Sequence, residues 1–271
     1  MYYYPTGQLY ESFNTYGKTE NWGYGTGGYS SNPALVQANL NEDNNDLSNG
    51  WYGPGTTPMS LDLYIGHGAY DPNQNNQAVF FGQADSQYVD NYSTFLPTTN
   101  WVHSSDVANT YPQDEHFAFL WVCFNGNWNY YMPVSWSDYK ITQTSGYSSP
   151  DSSGYCFIGF DSASPWLYET FPSGNTYQSW LKNFYETALY TSSSYSTVNE
   201  ALDMASWTAN GGTGNWGSSV LSTGFTTYWP YTQTYAYNNH MVVWGDGNIY
   251  LETTLYYWYY NGQFYYAGGS D

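Results

Sequence analysis

Two short apolar runs constrain this chain more than any other feature of its sequence. The first, over residues 61–65, is Leu-Asp-Leu-Tyr-Ile, and it stops at Gly66-His67-Gly68. Its aliphatic and aromatic content suits a buried strand, and the two glycines make its end a tight turn. The second, over residues 117–122, is Phe-Ala-Phe-Leu-Trp-Val, and it runs into Cys123-Phe124-Asn125-Gly126. If the two strands lie side by side and parallel, His67 and Cys123 leave the sheet at the same C-terminal edge. Open α/β sheets carry their sites at that edge.

A strand ending in His-Gly, followed by a strand ending in Cys, resembles the caspase-like cysteine peptidases. That group includes caspases, metacaspases, legumains, gingipains and CHAT-type proteases. The downstream order is similar too. Residues 154–160, Gly-Tyr-Cys-Phe-Ile-Gly-Phe, look like the next core strand. Residues 184–189 and 197–205, the second containing Glu200-Ala201-Leu202, resemble the paired helices of gingipain-type and CHAT-type domains. The resemblance runs from about residue 61 to residue 207. It implies an α/β fold, a mainly parallel sheet flanked by helices, with no cofactor required. It also implies Cys123 as nucleophile, His67 as general acid/base, and the backbone amides of Gly68 and Cys123 as oxyanion donors. Chemically, a thiolate attacks the carbonyl carbon and the histidine passes the proton to the leaving amine. Taken singly, Cys123 also reads as a small buried residue ending a core strand, and His67 as a turn residue.

Charge narrows the partners. The formal net charge is −19, yet Asp and Glu together number only 22 of 271 residues. The imbalance arises because the cations are three lysines, Lys18, Lys140 and Lys182, with no arginine. A basic patch for phosphate binding cannot be built from these, which excludes nucleic acid as a partner. An arginine-lined pocket for acidic side chains, as in caspases, is excluded for the same reason. Asp161 and Glu169, with Asp138, are candidates for an acidic pocket, and Trp166 or Trp128 for an apolar one. The surface is otherwise neutral and rich in Asn, Ser, Thr, Gln, Gly and Tyr, which fits an extracellular or cell-surface protein. No apolar run is long enough to span a membrane. Cys123 closes one strand and Cys156 opens the next, so a bridge between them fails on geometry and both are expected to be free thiols.

Aromatic residues make up 22% of the chain, with 34 Tyr, too many to bury, so part of them must lie on the surface. This motivates a second reading, a non-catalytic surface protein on the same scaffold. It would associate with copies of itself through Tyr- and Trp-rich faces, with the clusters at residues 2–4 and 256–266 as candidates. On the first reading the partner is a peptide or protein substrate. Sugar binding by exposed Trp and Tyr is a third option.

Along the chain, residues 8–16 read as a strand and 32–40 as a helix capped by Asn32 with Pro33 in its first turn. Asp71, Asn73 and Asn75 resemble the opening of a calcium loop, although Asn76 stands where glycine is expected and Gly82 where glutamate is expected. Asn91-Tyr92-Ser93 is a glycosylation sequon. Residues 124–153 and 161–176 read as long loops, and residues 177–190 and 196–207 as helices. Thr197 and Glu200 have capping-box spacing. Strands are expected at 238–244 and 248–253, and a hairpin about Asn261-Gly262. The expected organisation is an α/β domain over 1–210 with a β-rich extension over 211–271 packed on it.

Overall fold

A computed structural model describes residues 61–65, 67–71, 73, 75, 77–81, 102–110, 116–189, 196–226, 238–251, 256–260 and 263–267. The strand and helix expected at 8–16 and 32–40, the sequon, the residue 2–4 cluster and the Asn261-Gly262 turn lie outside these residues.

The centre is a four-stranded sheet in the order β1-β5-β6-β7. Strands β1 (Leu61–Ile65), β5 (Phe117–Trp121) and β6 (Cys156–Phe160) run parallel, and β7 (Met241–Gly245) is antiparallel to β6. Every residue of β5 and β6 is buried. That is why both read as unbroken apolar runs rather than alternating ones: a parallel strand is covered on both faces. The chain is a mixed α/β protein.

The alternation of side chains divides the core in two. Phe117, Phe119, Trp121, Ile158, Phe160, Met241 and Val243 pack against helices α3 (Tyr177–Leu189) and α4 (Val198–Ala209). Trp180 of α3 is fully buried within that layer, near Phe119, Trp121, Phe184 and Trp216. Its indole N–H donates to Ser206 Oγ at 3.1 Å, so the ring is buried with its polar atom satisfied. The opposite face, with Ala118, Leu120, Val122 and Phe157, is covered by Ala78, Val107, Met132, Trp136 and Ile141. Val107 belongs to α1 (Ser104–Thr110), and Met132 and Trp136 to α2 (Met132–Trp136).

Between β1 and β5 the chain builds a separate antiparallel sheet, β2 (His67–Asp71), β3 (Gln77–Phe81) and β4 (Val102–His103). His67 therefore opens a strand, rather than sitting in an open turn. A hairpin, β8 (Tyr256–Tyr260) with β9 (Gln263–Ala267), forms where the sequence places it.

Three local readings change. Residues 124–153 are not all loop. They contain a short 3-10 turn, Trp128–Tyr130, and α2, whose first turn holds Pro133 and whose Met132 and Trp136 face the core one turn apart. Residues 248–251 form no strand beyond an isolated bridge from Tyr250 to Thr197. The first-turn amides of α4 claim carbonyls in and just before that segment: Val198 N–H donates to Ile249 O and Asn199 N–H to Gly247 O. The Thr197–Glu200 capping box forms at the same helix end. Finally, β7 lies in the main sheet, and Trp216, Leu221, Phe225 and Met241 belong to the same core as Phe117, so core and sheet run across the boundary drawn at residue 210. Among the described residues no helix is long and apolar enough to cross a membrane.

Trp180 carries the most testable packing. Trp180→Ala is expected to lower stability by about 3–5 kcal/mol in urea unfolding, and a loss below about 1 kcal/mol would contradict this account of the core.

Candidate active site at the sheet edge

Strand register builds the site. In the parallel pair β1–β5, Ile65 lies opposite Trp121. His67 and Cys123 each follow two residues later, so both leave at the C-terminal edge of neighbouring strands. The contact is closest one residue on. A methyl group on Gly68 would run into the Cys123 carbonyl oxygen and would lie 2.9 Å from the Cys123 amide nitrogen and 2.7 Å from Asn125 Nδ2. Only glycine lets the β2 backbone approach the Cys123 backbone this closely. Buried Asn125 locks the arrangement: its Nδ2 donates to Cys123 O at 2.8 Å and to Val79 O of β3 at 2.9 Å.

A second loop, following β6, closes on Cys123 from the other side. Phe124 N–H donates to Ser162 O at 2.7 Å, and Gly126 N–H donates to Phe160 O at 2.7 Å. Ser164 meets the nucleophile candidate twice, its N–H donating to Cys123 Sγ at 3.3 Å and its hydroxyl lying 3.5 Å from the same sulfur. Burial pushes the Cys123 thiol up. The Ser164 hydroxyl, the Ser164 N–H and the residue's own N–H pull it down, by less. At neutral pH the group is a thiol, with donors in place for the charge that develops when it loses its proton. Cys156, at the other end of the adjacent strand, is pushed up mainly by burial and further by Asp246 and Asp151.

The pocket candidates separate. The carboxylate of Asp161 is engaged: its Oδ1 accepts from the His240 amide at 2.9 Å and from Ser162 Oγ at 3.2 Å, and its Oδ2 lies 3.0 Å from His240 Nδ1. Trp166 stacks on Tyr168, 5.9 Å away, on the loop that carries Ser164. Glu169 lies on the same loop, and burial pushes its carboxyl up to about 7, with an opposing contribution from the Trp166 amide. Tyr177, beside it, is pushed up to about 12, by burial first and by Glu169 second. Asp138 is paired with Lys140 at 3.6 Å, and Trp128 packs on Trp244 at 5.2 Å.

Asp71 is buried at the far end of β2 from His67. Its Oδ1 accepts from Asn73 N–H at 2.9 Å and its Oδ2 lies 3.2 Å from His103 Nε2. Asn73 and Asn75 are exposed. A calcium ion held by Asp71, Asn73 and Asn75 would have to displace these partners. Among the described residues no group of three or more His, Cys, Asp or Glu is placed to hold a metal. His116 bonds Gly154 O at the opposite end of β5 from Cys123.

Sequence reading missed Ser164, Asn125 and the Asp161–His240 pair. Asn125 stands two residues beyond Cys123, where an Asn–Gly turn reads as loop chemistry. Ser164 and His240 are far from Cys123 and Asp161 in sequence, and only the β5–β6–β7 register brings them in.

Compared with known proteins, the chain matches no family model, no curated protein and no solved structure.

Two outcomes follow from these electrostatics. Ser164→Ala removes the hydroxyl that lowers the Cys123 thiol, so the midpoint of Cys123 alkylation against pH is expected to move upward. A midpoint that stays put or falls would contradict the contact. For Glu169 the folded value lies above the unfolded one, so the neutral form is favoured in the fold. Its contribution is complete below about 4.5 and is lost as pH rises through about 7. Glu169→Gln is therefore expected to flatten the fall in thermal stability over that window, and an unchanged pH profile would contradict it.

Proposed function

We propose that the chain is a caspase-like cysteine peptidase that hydrolyses peptide bonds outside the cell or at its surface. The observation that supports it best is the strand-end register. His67 and Cys123 leave adjacent parallel strands two residues beyond a shared pair, with the Gly68 backbone against the Cys123 backbone. The strand order is in keeping with the resemblance: two parallel strands, β1 and β5, that stop two residues short of His67 and Cys123, then a further parallel strand and paired helices.

In this reading His67 takes the Cys123 proton as sulfur attacks the carbonyl carbon. The backbone amides of Gly68 and Cys123 face the developing oxyanion. The tetrahedral intermediate collapses, His67 gives its proton to the leaving amine, and a thioester remains on Cys123. Water, losing a proton to His67, then attacks the thioester carbon; the carbon–sulfur bond breaks, the acid leaves, and His67 returns the proton to the Cys123 thiolate. A thiol that is neutral at rest suits this sequence, because its proton moves only when substrate is in place. No cofactor is required.

A non-catalytic, self-associating surface protein is the alternative. The exposure of Tyr131, Tyr139, Tyr168 and Trp207, from 48% to 69%, favours it, since large aromatics suit contact surfaces.

Cys123→Ala is expected to abolish hydrolysis of a mixed peptide pool, by at least about 1,000-fold, while leaving the unfolding midpoint close to wild type. Hydrolysis that survives the substitution would overturn Cys123 as nucleophile. Light scattering that shows mass growing with concentration, in a protein that cleaves nothing, would favour the alternative.

A further inference from the structure

The residues beside Cys123 are neutral and aromatic, and they are joined. Tyr70 stacks on Tyr130 at 4.9 Å with the rings 16° from parallel, and meets Phe124 edge-on at 5.6 Å. Phe124 is bonded to Cys123 itself. Tyr70 follows Gly68 by two residues, so both occupy the same face of β2. Gly68 lies on the Cys123 backbone, and Tyr70 lies one pleat further on, over the loop that leaves Cys123.

Backbone strain holds this arrangement. Phe124 has φ of +65° and Tyr131 has φ of +67°, a region that bulky residues avoid. Each is pinned by hydrogen bonds: Phe124 N–H to Ser162 O at 2.7 Å and Asn127 N–H to Phe124 O at 3.2 Å, then Tyr131 N–H to Trp128 O at 3.2 Å. A phenylalanine kept in a left-handed conformation directly after the nucleophile candidate has its ring directed by the loop rather than by its own preference. Tyr70 is 42% exposed despite its two ring contacts, so the cluster keeps open aromatic surface.

The charged alternatives at this edge are weaker. Asp161 is engaged by His240 and Ser162.

We propose that Tyr70, Phe124 and Tyr130 form an aromatic shelf that takes a large apolar or aromatic side chain of the peptide, adjacent to the bond cleaved. This rests on the reading of Cys123 as the nucleophile. Offset or edge-on packing on the shelf selects Phe, Tyr, Trp or Leu over small, acidic or basic residues.

The test uses two measurements on the full chain. In the first, wild type cleaves a peptide library that varies one residue beside the scissile bond. Phe, Tyr, Trp and Leu peptides are expected to be preferred, and Tyr70→Ala to lower kcat/KM for the Phe peptide about tenfold while sparing the Ala peptide. In the second, Cys123→Ala protein binds the same Phe and Lys peptides without turnover. Phe is expected to bind more tightly, and the difference to vanish in the Tyr70→Ala and Tyr130→Ala backgrounds but not with Tyr70→Phe. Equal binding of Phe and Lys peptides, or a uniform loss for every peptide in Tyr70→Ala, overturns the shelf and leaves Cys123 unaffected. Binding preference without any cleavage by wild type overturns the peptidase reading instead, and supports the shelf as a peptide-binding surface.

Discussion

The parallel pairing of β1 with β5 is the constraint on which the candidate site depends. Cross-strand register fixes which residues emerge together, and a slip of one residue would turn every side chain to the other face. Here one strand is buried on both faces, which pins the register through the core. Phe117, Phe119 and Trp121 must meet α3 and α4 while Ala118, Leu120 and Val122 meet the opposite layer. The contact between Gly68 and Cys123 is therefore a consequence of core packing some distance away. Gly126 extends the same logic on the other side. A methyl group there would lie 2.6 Å from the Gly159 carbonyl carbon, so the loop beyond Cys123 can follow β6 only as glycine.

Around this edge two kinds of order coexist. The core side is apolar and dense, and it pushes the Cys123 thiol toward its neutral form. The loop side is polar and heavily bonded, with Ser162 and Ser164 facing Cys123 and Phe124, Asn239 holding Ser162 and Ala163, and Asp161 holding His240. A net charge of −19 adds little here, because screening confines its influence to charges within about 8 Å at physiological salt. Burial and hydrogen bonding, rather than total charge, decide the protonation state of Cys123.

Much of this was legible in the sequence. The runs at 117–121 and 156–160 announce buried strands because they are continuous, and the Thr197–Glu200 spacing announces the start of α4 because a capping box needs that spacing. That residues 67 and 123 lie beyond the same edge of neighbouring strands was legible because each follows an apolar run; that His67 opens a further strand was not. Contacts made across strands were not legible. Ser164 at Cys123, His240 at Asp161 and Tyr70 at Tyr130 join residues 41, 79 and 60 positions apart. No local pattern encodes such pairs. Residues 248–251 misled for a related reason: their composition favours a strand, but the Ile249 carbonyl, like that of Gly247 just before the segment, is taken by the start of a helix.

The central claim is that this edge makes and breaks a thioester at Cys123. The most direct test is mass analysis of the protein quenched in acid during turnover of a peptide, followed by chymotryptic mapping, since a chain with three lysines and no arginine yields few tryptic fragments. The account predicts an acyl group on the fragment that carries Cys123 in wild type, and none in His67→Ala. Peptide cleavage with no acyl group on Cys123, or an acyl group that forms equally without His67, would contradict it.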